Sequence, residues 1–294
     1  MSDTRPSDTR PSDTRPFEVL ETGVMFWAGR DPGETIEEMK ALGVRCGQLA
    51  LPGDLDLSCA PAWKEALQAA DFTVYTVFAT FQGESYADKP TVYETVGFIP
   101  PATRAERERR TCRVSDFAAV IGAPAIATHV GCVPDDDTSA DHIAVREMVR
   151  RICDHAETHG QKFALETGQE TAPVLLDFML GVNRPNLGIN FDPANLILYG
   201  TGDPIEALGL LGEHVLTVHC KDGDWPPADQ PNALGTERPL GHGSVGMERF
   251  LRQLLKMGYR GPLAVEREAQ DPAERLRDLA SGIELLRKLK AELL

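Results

Sequence analysis

The sequence predicts a closed (β/α)8 barrel, or TIM barrel, and two observations lead to that prediction. From Phe17 onward, short apolar runs alternate with longer stretches whose apolar residues recur at helical spacing. The alternation gives eight strands and eight helices, the number that closes one barrel. An open doubly wound sheet is the main alternative, but no GxGxxG motif follows the first strand to support it.

The predicted strands are short apolar runs bounded by turn residues. In chain order they are 19–26 (VLETGVMF), 46–51 (CGQLAL), 73–81 (TVYTVFATF), 125–129 (AIATH), 162–166 (KFALE), 187–192 (LGINFD), 214–221 (HVLTVHCK) and 261–266 (GPLAVE). The predicted helices are 33–42, 61–70, 102–121, 139–159, 171–180, 203–211, 246–257 and 271–292. Helix starts are marked by the capping residues Ser139, Asp203 and Asp271 and by the first-turn prolines Pro173, Pro204 and Pro272.

The chain is expected to contain one folded domain behind a short tail. Residues 2–16 are three copies of SDTRP, a repeat too short and too polar to bury apolar surface. We therefore expect residues 1–16 to form a disordered tail and residues 17–294 to form a single catalytic barrel, since barrels of about 250 residues are often single domains.

Composition limits the partners of the protein. A net charge of −15 would repel phosphate backbones, so neither a nucleic acid nor an anionic membrane is expected as a partner. No run of about 18 apolar residues is present, and the N-terminus lacks the apolar stretch of a secretion signal, which favours a cytoplasmic protein that acts on small molecules.

The six cysteines include no CxxC pair, as expected of reduced thiols. The charged run RAERERR, residues 104–110, is expected to be a solvated helix face.

Four chemically reactive residues end the last four predicted strands. Glu166 ends "FALE", Asp192 ends "GINFD", His219 lies in "TVHCKD" and Glu266 ends "LAVE". The carboxyl ends of the strands of a barrel meet at one mouth, where barrel enzymes place their chemistry. We therefore expect these four side chains to converge.

A divalent metal ion is the simplest partner for such a set. Three carboxylates and an imidazole in contact would perturb one another's pKa strongly unless a cation lay between them. Oxygen ligands with one nitrogen and no sulfur suit Mn²⁺ best, with Mg²⁺, Co²⁺ and Zn²⁺ as alternatives. Taken singly, each acid is explained equally well as a helix cap or the partner of a rim arginine.

The motifs "ETGQE", "NFDPAN", "VHCKD", "PLGHGSVG" and "GYRGPLAVERE" occur in this order. Together they resemble the xylose isomerase-like sugar isomerase/epimerase barrels, which include ketose 3-epimerases, hydroxypyruvate isomerases, inosose dehydratases and, more distantly, endonuclease IV. The resemblance covers residues 17–294. It implies that Glu166, Asp192, His219 and Glu266 hold one divalent metal, and that Glu166 and Glu266 are the catalytic acid/base pair.

The resemblance also implies a reaction. A metal that bridges a sugar carbonyl and its neighbouring hydroxyl stabilises the enediolate formed when one glutamate removes a proton. Return of the proton to the opposite face epimerises the carbon, whereas return to the adjacent carbon interconverts aldose and ketose. The expected substrate is a ketose, an aldose or a sugar phosphate.

Four further residues are candidate substrate ligands. His129 ends the fourth predicted strand, Lys221 lies two residues beyond His219 on the same strand face, and Arg238 precedes the glycine-rich "PLGHGSVG" turn, which could approach a phosphate or a sugar oxygen. Asn195 follows Asp192 by three residues, where the ketose epimerases that the chain resembles often carry a histidine. Glu268 is expected to point away from the site and to take no part in catalysis.

Other readings remain open. A dehydratase of the inosose dehydratase type would expel a β-hydroxyl from the same enediolate, and a non-catalytic sugar-binding barrel would need neither glutamate at the mouth. Endonuclease IV activity is disfavoured, because a trinuclear zinc site needs many histidines and this chain has seven in all. The loops over the mouth and the long C-terminal helix are consistent with a homodimer.

Overall fold

The computed structural model describes residues 17–294, so the predicted SDTRP tail at 1–16 lies outside the described residues. The strands are β1 (Thr22–Trp27), β2 (Cys46–Leu51), β3 (Thr73–Ala79), β4 (Ala125–Thr128), β5 (Lys162–Glu166), β6 (Leu187–Phe191), β7 (Val215–Cys220), β8 (Asp222–Asp224), β9 (Thr236–Arg238) and β10 (Leu263–Val265). Eight of them close a parallel barrel in the order β1-β10-β7-β6-β5-β4-β3-β2, while β8 and β9 form a separate antiparallel pair. The predicted (β/α)8 barrel is confirmed.

Ten α-helices are present in the described part of the chain. They are α1 (Pro32–Ala41), α2 (Ala60–Ala70), α3 (Lys89–Thr95), α4 (Pro101–Ile121), α5 (Ala140–Glu157), α6 (Ala172–Val182), α7 (Pro193–Tyr199), α8 (Pro204–Leu211), α9 (Met247–Lys256) and α10 (Pro272–Leu293). The predicted caps are confirmed, because the side chains of Ser139, Asp203 and Asp271 accept bonds from backbone N–H groups in the first turns of their helices. None of these helices is long and apolar enough to cross a membrane.

Apolar packing holds the helices on the barrel and leaves its interior partly polar. The large core cluster joins strand side chains to the surrounding helices, and it buries Trp63, Phe117 and Phe178 almost completely. A second, smaller cluster is rich in small side chains, including Ala127, Ala164 and Ala264. Ala164 and Ala264 precede Glu166 and Glu266 by two residues, so the second cluster extends along the strand faces that lead to the mouth.

The charged run 104–110 departs from its prediction. Arg107 and Arg110 are 1% and 7% exposed, so this stretch is not a wholly solvated face. The Arg110 Nε donates to the Thr80 carbonyl at 2.9 Å, and the Arg107 guanidinium lies 5.2 Å from the Phe81 ring centroid. These two arginines therefore fasten α4 to the backbone that follows β3.

Candidate metal centre

The barrel brings the four predicted ligands together at one mouth. Glu166 is the last residue of β5, Asp192 and Glu266 directly follow β6 and β10, and His219 lies on β7. Strand register aligns these ends, since His219 is opposite Ala264 on β10. One ligand atom from each of the four side chains lies within 4.8 Å of the others.

A single imidazole nitrogen faces all three carboxylates. His219 Nδ1 lies 2.9 Å from Glu166 Oε1, 2.8 Å from Glu266 Oε2 and 3.6 Å from Asp192 Oδ2. One ring nitrogen can serve only one of these oxygens. Among the described residues, buried Asp192 Oδ2 and Glu266 Oε2 have no hydrogen-bond partner. Because buried carboxylate oxygens without partners are costly, this donor set fits a divalent cation bound by three oxygens and one nitrogen.

The far side of His219 sets which ring nitrogen carries the hydrogen. Its Nε2 lies 3.2 Å from Gln48 Oε1, and the Gln48 amide in turn donates to Asn190 Oδ1 at 3.1 Å. Thr217 donates to the same Asn190 oxygen at 2.6 Å. Since Gln48 therefore presents its oxygen to the ring, Nε2–H is the donor, and a metal that displaces the Nδ1 hydrogen would find the Nδ1 lone pair directed at it. The Phe78 ring stacks on the imidazole at 5.3 Å between centroids.

The pKa values of the ionisable side chains in the centre are shifted in different directions. Burial acts to raise the pKa of Asp192, but Lys221 and His219 outweigh it, and the pKa falls to about 2. Burial raises the pKa of Glu266 to about 7, against the opposing effects of His219 and Lys221. Burial acts to lower the pKa of His219, yet Glu266 and Glu166 hold it well above its usual range. Acids this crowded favour a positive partner between them.

His129 lies beside the cluster, in contact with Glu166. Its Nε2 is 3.0 Å from Glu166 Oε2, and Gln169 Nε2 lies 3.1 Å from its Nδ1. Because the Gln169 amide is a donor, His129 Nδ1 accepts and Nε2–H donates to the glutamate. The Gln169 amide also donates to the Tyr199 hydroxyl at 3.2 Å, and the Tyr86 ring lies 5.9 Å from the His129 ring. This chain of contacts fixes one Glu166 oxygen and leaves the other for the metal centre.

Asn195 and Lys221 complete the same wall of the site, and both side chains are buried. The Asn195 amide donates to Glu166 Oε1 at 3.4 Å and accepts from Lys221 Nζ at 3.4 Å, while its backbone N–H donates to Asp192 Oδ1 at 3.0 Å. Lys221 Nζ also lies 3.7 Å from Glu266 Oε1. Burial acts to lower the pKa of Lys221, but Glu266 and other nearby acids hold it well above its usual range. Lys221 is therefore a fixed positive charge at the edge of the cluster.

The expected direction of Glu268 is wrong, whereas its lack of a catalytic role stays a prediction. Strand β10 ends at Val265, and Glu268 Oε1 lies 3.1 Å from Lys221 Nζ. The attraction of Lys221 lowers the pKa of Glu268. Because Glu268 lies beyond the end of the strand, its direction is set by this ion pair with Lys221, which brings it to the edge of the site.

Arg238 lies on β9, opposite Asp222 of β8. Its Nε donates to Asp224 Oδ2 at 2.7 Å in an exposed ion pair across the β8–β9 hairpin. Its assignment as a substrate ligand stays a prediction.

Sequence reasoning missed Gln48 and Gln169. The available signal was a neutral amide in an otherwise apolar strand for Gln48, and the motif "ETGQE" itself for Gln169. Neither signal names a partner, because Gln48 and His219 are 171 residues apart in the chain.

The structure is a closed barrel in which three carboxylates and one imidazole at the strand ends could hold a metal ion. The family model described as "Xylose isomerase-like TIM barrel" matches residues 36–289, and the chain belongs to this family. The crystal structure of a xylose isomerase domain protein from Planctomyces limnophilus is 44% identical, covers 94% of this chain and 99% of that chain, and has a TM-score of 0.89.

More distant structures share the fold. A xylose isomerase-like TIM barrel protein from Mycobacterium smegmatis in complex with magnesium is 20% identical, with 89% of each chain covered and a TM-score of 0.67. A D-allulose 3-epimerase from Methylomonas sp. is 18% identical, with 92% of this chain and 98% of that chain covered and a TM-score of 0.67.

A curated relative matches part of the chain. The rhizopine catabolism protein MocC of Rhizobium meliloti is 32% identical over 124 residues, which are 39% of this chain and 36% of the relative. The match therefore spans about a third of that protein.

Proposed function

We propose that the protein is a divalent-metal-dependent isomerase or epimerase of a sugar or sugar phosphate. The observation that carries the proposal is the convergence of three carboxylates and one imidazole at the mouth, from Glu166, Asp192, His219 and Glu266. Two of the carboxylate oxygens, Asp192 Oδ2 and Glu266 Oε2, have no hydrogen-bond partner within residues 17–294. The sugar epimerases among the structures of the same fold support this class of reaction.

Glu166, Asp192, His219 and Glu266 would hold the metal. A bound divalent cation would polarise a substrate carbonyl and offset the negative charge that develops when the neighbouring carbon loses its proton. Three carboxylates and one imidazole suit Mn²⁺ best, with Mg²⁺, Co²⁺ and Zn²⁺ as alternatives. The magnesium complex of the Mycobacterium smegmatis protein supports an ion of this kind.

The glutamates would move the protons. One removes the proton from the carbon next to the carbonyl, and the electron pair of the broken C–H bond passes into the enediolate. The other returns a proton to the opposite face of that carbon to give the epimer, or to the adjacent carbon to exchange aldose for ketose. His129, which bonds to one Glu166 oxygen, would hold that carboxylate in place and contact the substrate.

Lys221 and Asn195 would face the substrate oxygens. Lys221 Nζ lies near Glu266, Glu268 and Asn195, and this buried positive charge would offset negative charge that develops on a substrate oxygen bound beside it. Arg238 would have to exchange its Asp224 partner for a substrate group, which a phosphorylated sugar would favour because guanidinium binds phosphate well.

The test of the reaction class is solvent-deuterium exchange. The purified protein with Mn²⁺ is incubated in deuterated water with ketoses, aldoses and inososes, and the products are followed by mass spectrometry. Deuterium entry without loss of water supports the proposal. Loss of one water would replace it with a dehydratase, and absence of exchange with every compound would favour a non-catalytic sugar-binding barrel.

Glu266→Gln tests the proton-transfer role within this assay. The amide keeps the shape of the side chain and one ligating oxygen but removes the base, so exchange should slow by about a hundredfold to ten-thousandfold. Glu65→Gln is the matched control, because Glu65 is exposed on α2 and should exchange at the wild-type rate. Wild-type exchange by Glu266→Gln would contradict the two-glutamate mechanism.

A further inference from the structure

A second cluster of metal-ligating side chains lies on the outside of the barrel. Asp116 is on α4, His155 is in the last turn of α5, and His159 is two residues beyond the end of α5. His155 Nε2 lies 2.8 Å and His159 Nε2 lies 2.9 Å from the same oxygen, Asp116 Oδ1. The two imidazole rings meet edge to face, with centroids 5.5 Å apart. Two imidazole nitrogens and one carboxylate oxygen, all of which can bind zinc, therefore lie close together.

The spacing of the histidines explains their convergence. Positions i and i+4 lie on one face of a helix, an arrangement in which two histidines can bind a single zinc ion, and Thr158, with φ −62° and ψ −21°, continues the helical path of α5 toward His159. The sequence "HAETH", residues 155–159, has this spacing. Asp116 supplies a third ligand from the neighbouring helix, and its side chain is 54% exposed, so water can reach a fourth position.

Backbone bonds fix the turn that carries His159. Its N–H donates to the Ala156 carbonyl at 3.0 Å, and the Gln161 N–H donates to the same carbonyl at 3.0 Å. The Gln161 side chain then binds Ser115, the residue before Asp116, through bonds of 2.6 and 3.1 Å. The two segments that bear the three ligands are therefore joined before any ion binds, which lowers the entropy lost on binding.

The cluster is separate from the centre at the mouth. His159 precedes β5 by three residues and so lies at the amino end of that strand, whereas Glu166 lies at the carboxyl end. The five residues of β5 place these ends about 13 Å apart, at four steps of about 3.3 Å. The donor sets also differ, because two nitrogens and one oxygen favour zinc, nickel or copper over magnesium or manganese.

We propose that Asp116, His155 and His159 form a second metal site that binds zinc and ties α4 to the turn between α5 and β5. Zinc would take the Nε2 lone pair of each ring and an oxygen of Asp116, the hydrogen on each Nε2 would pass through water to Nδ1 of the same ring, and water would complete the coordination. Because the three ligands come together in the folded chain, zinc bound there stabilises the fold.

The experiment counts zinc ions per chain in the full-length protein. Metal-free protein is saturated with Mg²⁺ and then titrated with Zn²⁺ against a chromophoric chelator at a fixed pH of about 7.5, because zinc affinity depends on pH. The double variant His155→Ala/His159→Ala is compared with the wild type and with His214→Ala, a matched control outside both clusters. Zinc that enters the centre at the mouth contributes equally to all three proteins, so the difference between them isolates the outer site.

The wild type and His214→Ala should each bind one more zinc ion per chain than the double variant. Zinc should also raise the Tm of these two proteins by several degrees more than that of the double variant. Equal zinc counts in all three proteins would overturn the proposal and leave the cluster as an ion pair only. Asp116→Asn, which keeps the shape of the side chain, provides the same comparison if the double variant proves unstable, and its zinc affinity should fall. The count does not depend on sugar turnover, so it stands or fails independently of the proposed function.

Discussion

Gln48 lies in the middle of β2, where every side chain of the strand is buried. Its oxygen faces His219 Nε2 and its amide donates to Asn190, so one neutral side chain fixes both the ring orientation and the nitrogen that stays free. Partners of this kind, one step removed from the metal, raise the basicity of the ligand and keep it aimed.

Gln48→Met should weaken metal binding without removing any ligand. Methionine fills a similar volume but cannot accept the Nε2–H bond, so His219 is free to rotate or to carry its hydrogen on Nδ1. We expect the affinity for Mn²⁺ to fall by about tenfold to a hundredfold, measured by calorimetric titration of metal-free protein. Gln68→Met, on the exposed face of α2, is the control and should bind as the wild type does. Unchanged affinity in Gln48→Met would show that the ring is held by other contacts.

Each of the four candidate metal ligands lies at or near the end of a predicted strand, so each could be predicted individually from the sequence. Glu166 and Glu266 each follow an apolar run, a place where a charge needs a reason. The direction of Glu268 was wrongly predicted because β10 ends at Val265, so strand alternation does not apply to Glu268, and its partner Lys221 comes from the segment after β7. The burial of Arg107 was equally hidden, since its contacts are with Phe81 and backbone atoms outside its own helix.

At the scale of elements, the loop after β9 encloses a carboxylate of the chain itself. Asp222 Oδ1 accepts from the N–H groups of Gly223 and Val245 at 3.0 and 3.1 Å, and its Oδ2 accepts from Gly241 at 2.9 Å. The glycine-rich "PLGHGSVG" turn thus wraps Asp222, the residue after Lys221. The same backbone donors that the sequence suggested for a phosphate or sugar oxygen are used to hold the loop.

Gly243→Ala should destabilise the protein through this loop. A Cβ at Gly243 would lie 2.5 Å from the Gly223 backbone nitrogen and against the Asp222 carboxylate, so the loop would have to shift. We expect the free energy of unfolding to fall by about 1–3 kcal/mol in urea titrations. Gly209→Ala on α8 is the control, because its Cβ would meet nothing within 4 Å and alanine favours a helix. A loss of stability in Gly209→Ala equal to that in Gly243→Ala would refute the role of the loop.

The long elements were predictable and the short ones were not. Strands and helices with several turns carry periodic apolar residues, whereas α3 and α7 have seven residues each, too few for a clear period. Their signals were a capping aspartate followed by a proline in the first turn, at Asp88 with Pro90 and at Asp192 with Pro193. Asp192 was assigned only to the metal, yet its Oδ1 also caps α7.

At the scale of the whole molecule, barrel closure decides which distant residues meet. Gln48 bonds to Asn190 across 142 residues and to His219 across 171. Alternation along the chain predicts that a barrel closes, and therefore which strand ends share the mouth. Side-chain pairs inside the barrel depend on register and tilt, which local sequence patterns do not specify.

Glu170 shows how burial of one acid changes the stability of the whole fold. Its side chain is buried, and neither carboxylate oxygen has a hydrogen-bond partner within residues 17–294. Cys132 and Tyr93 lie nearby: burial raises the pKa of both side chains, and Glu170 adds to the increase. Burial raises the pKa of Glu170 from 4.5 to about 8, so the folded protein holds this proton at neutral pH and the unfolded chain does not.

Glu170→Gln should therefore change how stability depends on pH. The folded state binds more protons than the unfolded state between about pH 4.5 and pH 8, so the contribution of Glu170 to stability is complete below that range and is lost as pH rises through it. Glutamine stays neutral, so the Tm of Glu170→Gln relative to wild type should rise across this window and level off above it. The corresponding difference in unfolding free energy should be on the order of a few kcal/mol, because each pKa unit is worth about 1.4 kcal/mol. Thermal unfolding from about pH 5 to pH 9 measures this difference, and the exposed Glu65→Gln should show none. A Tm difference for Glu170→Gln that is constant across the range would mean that the Glu170 carboxyl has the same pKa in the folded and unfolded chain, against the burial that the fold imposes on it.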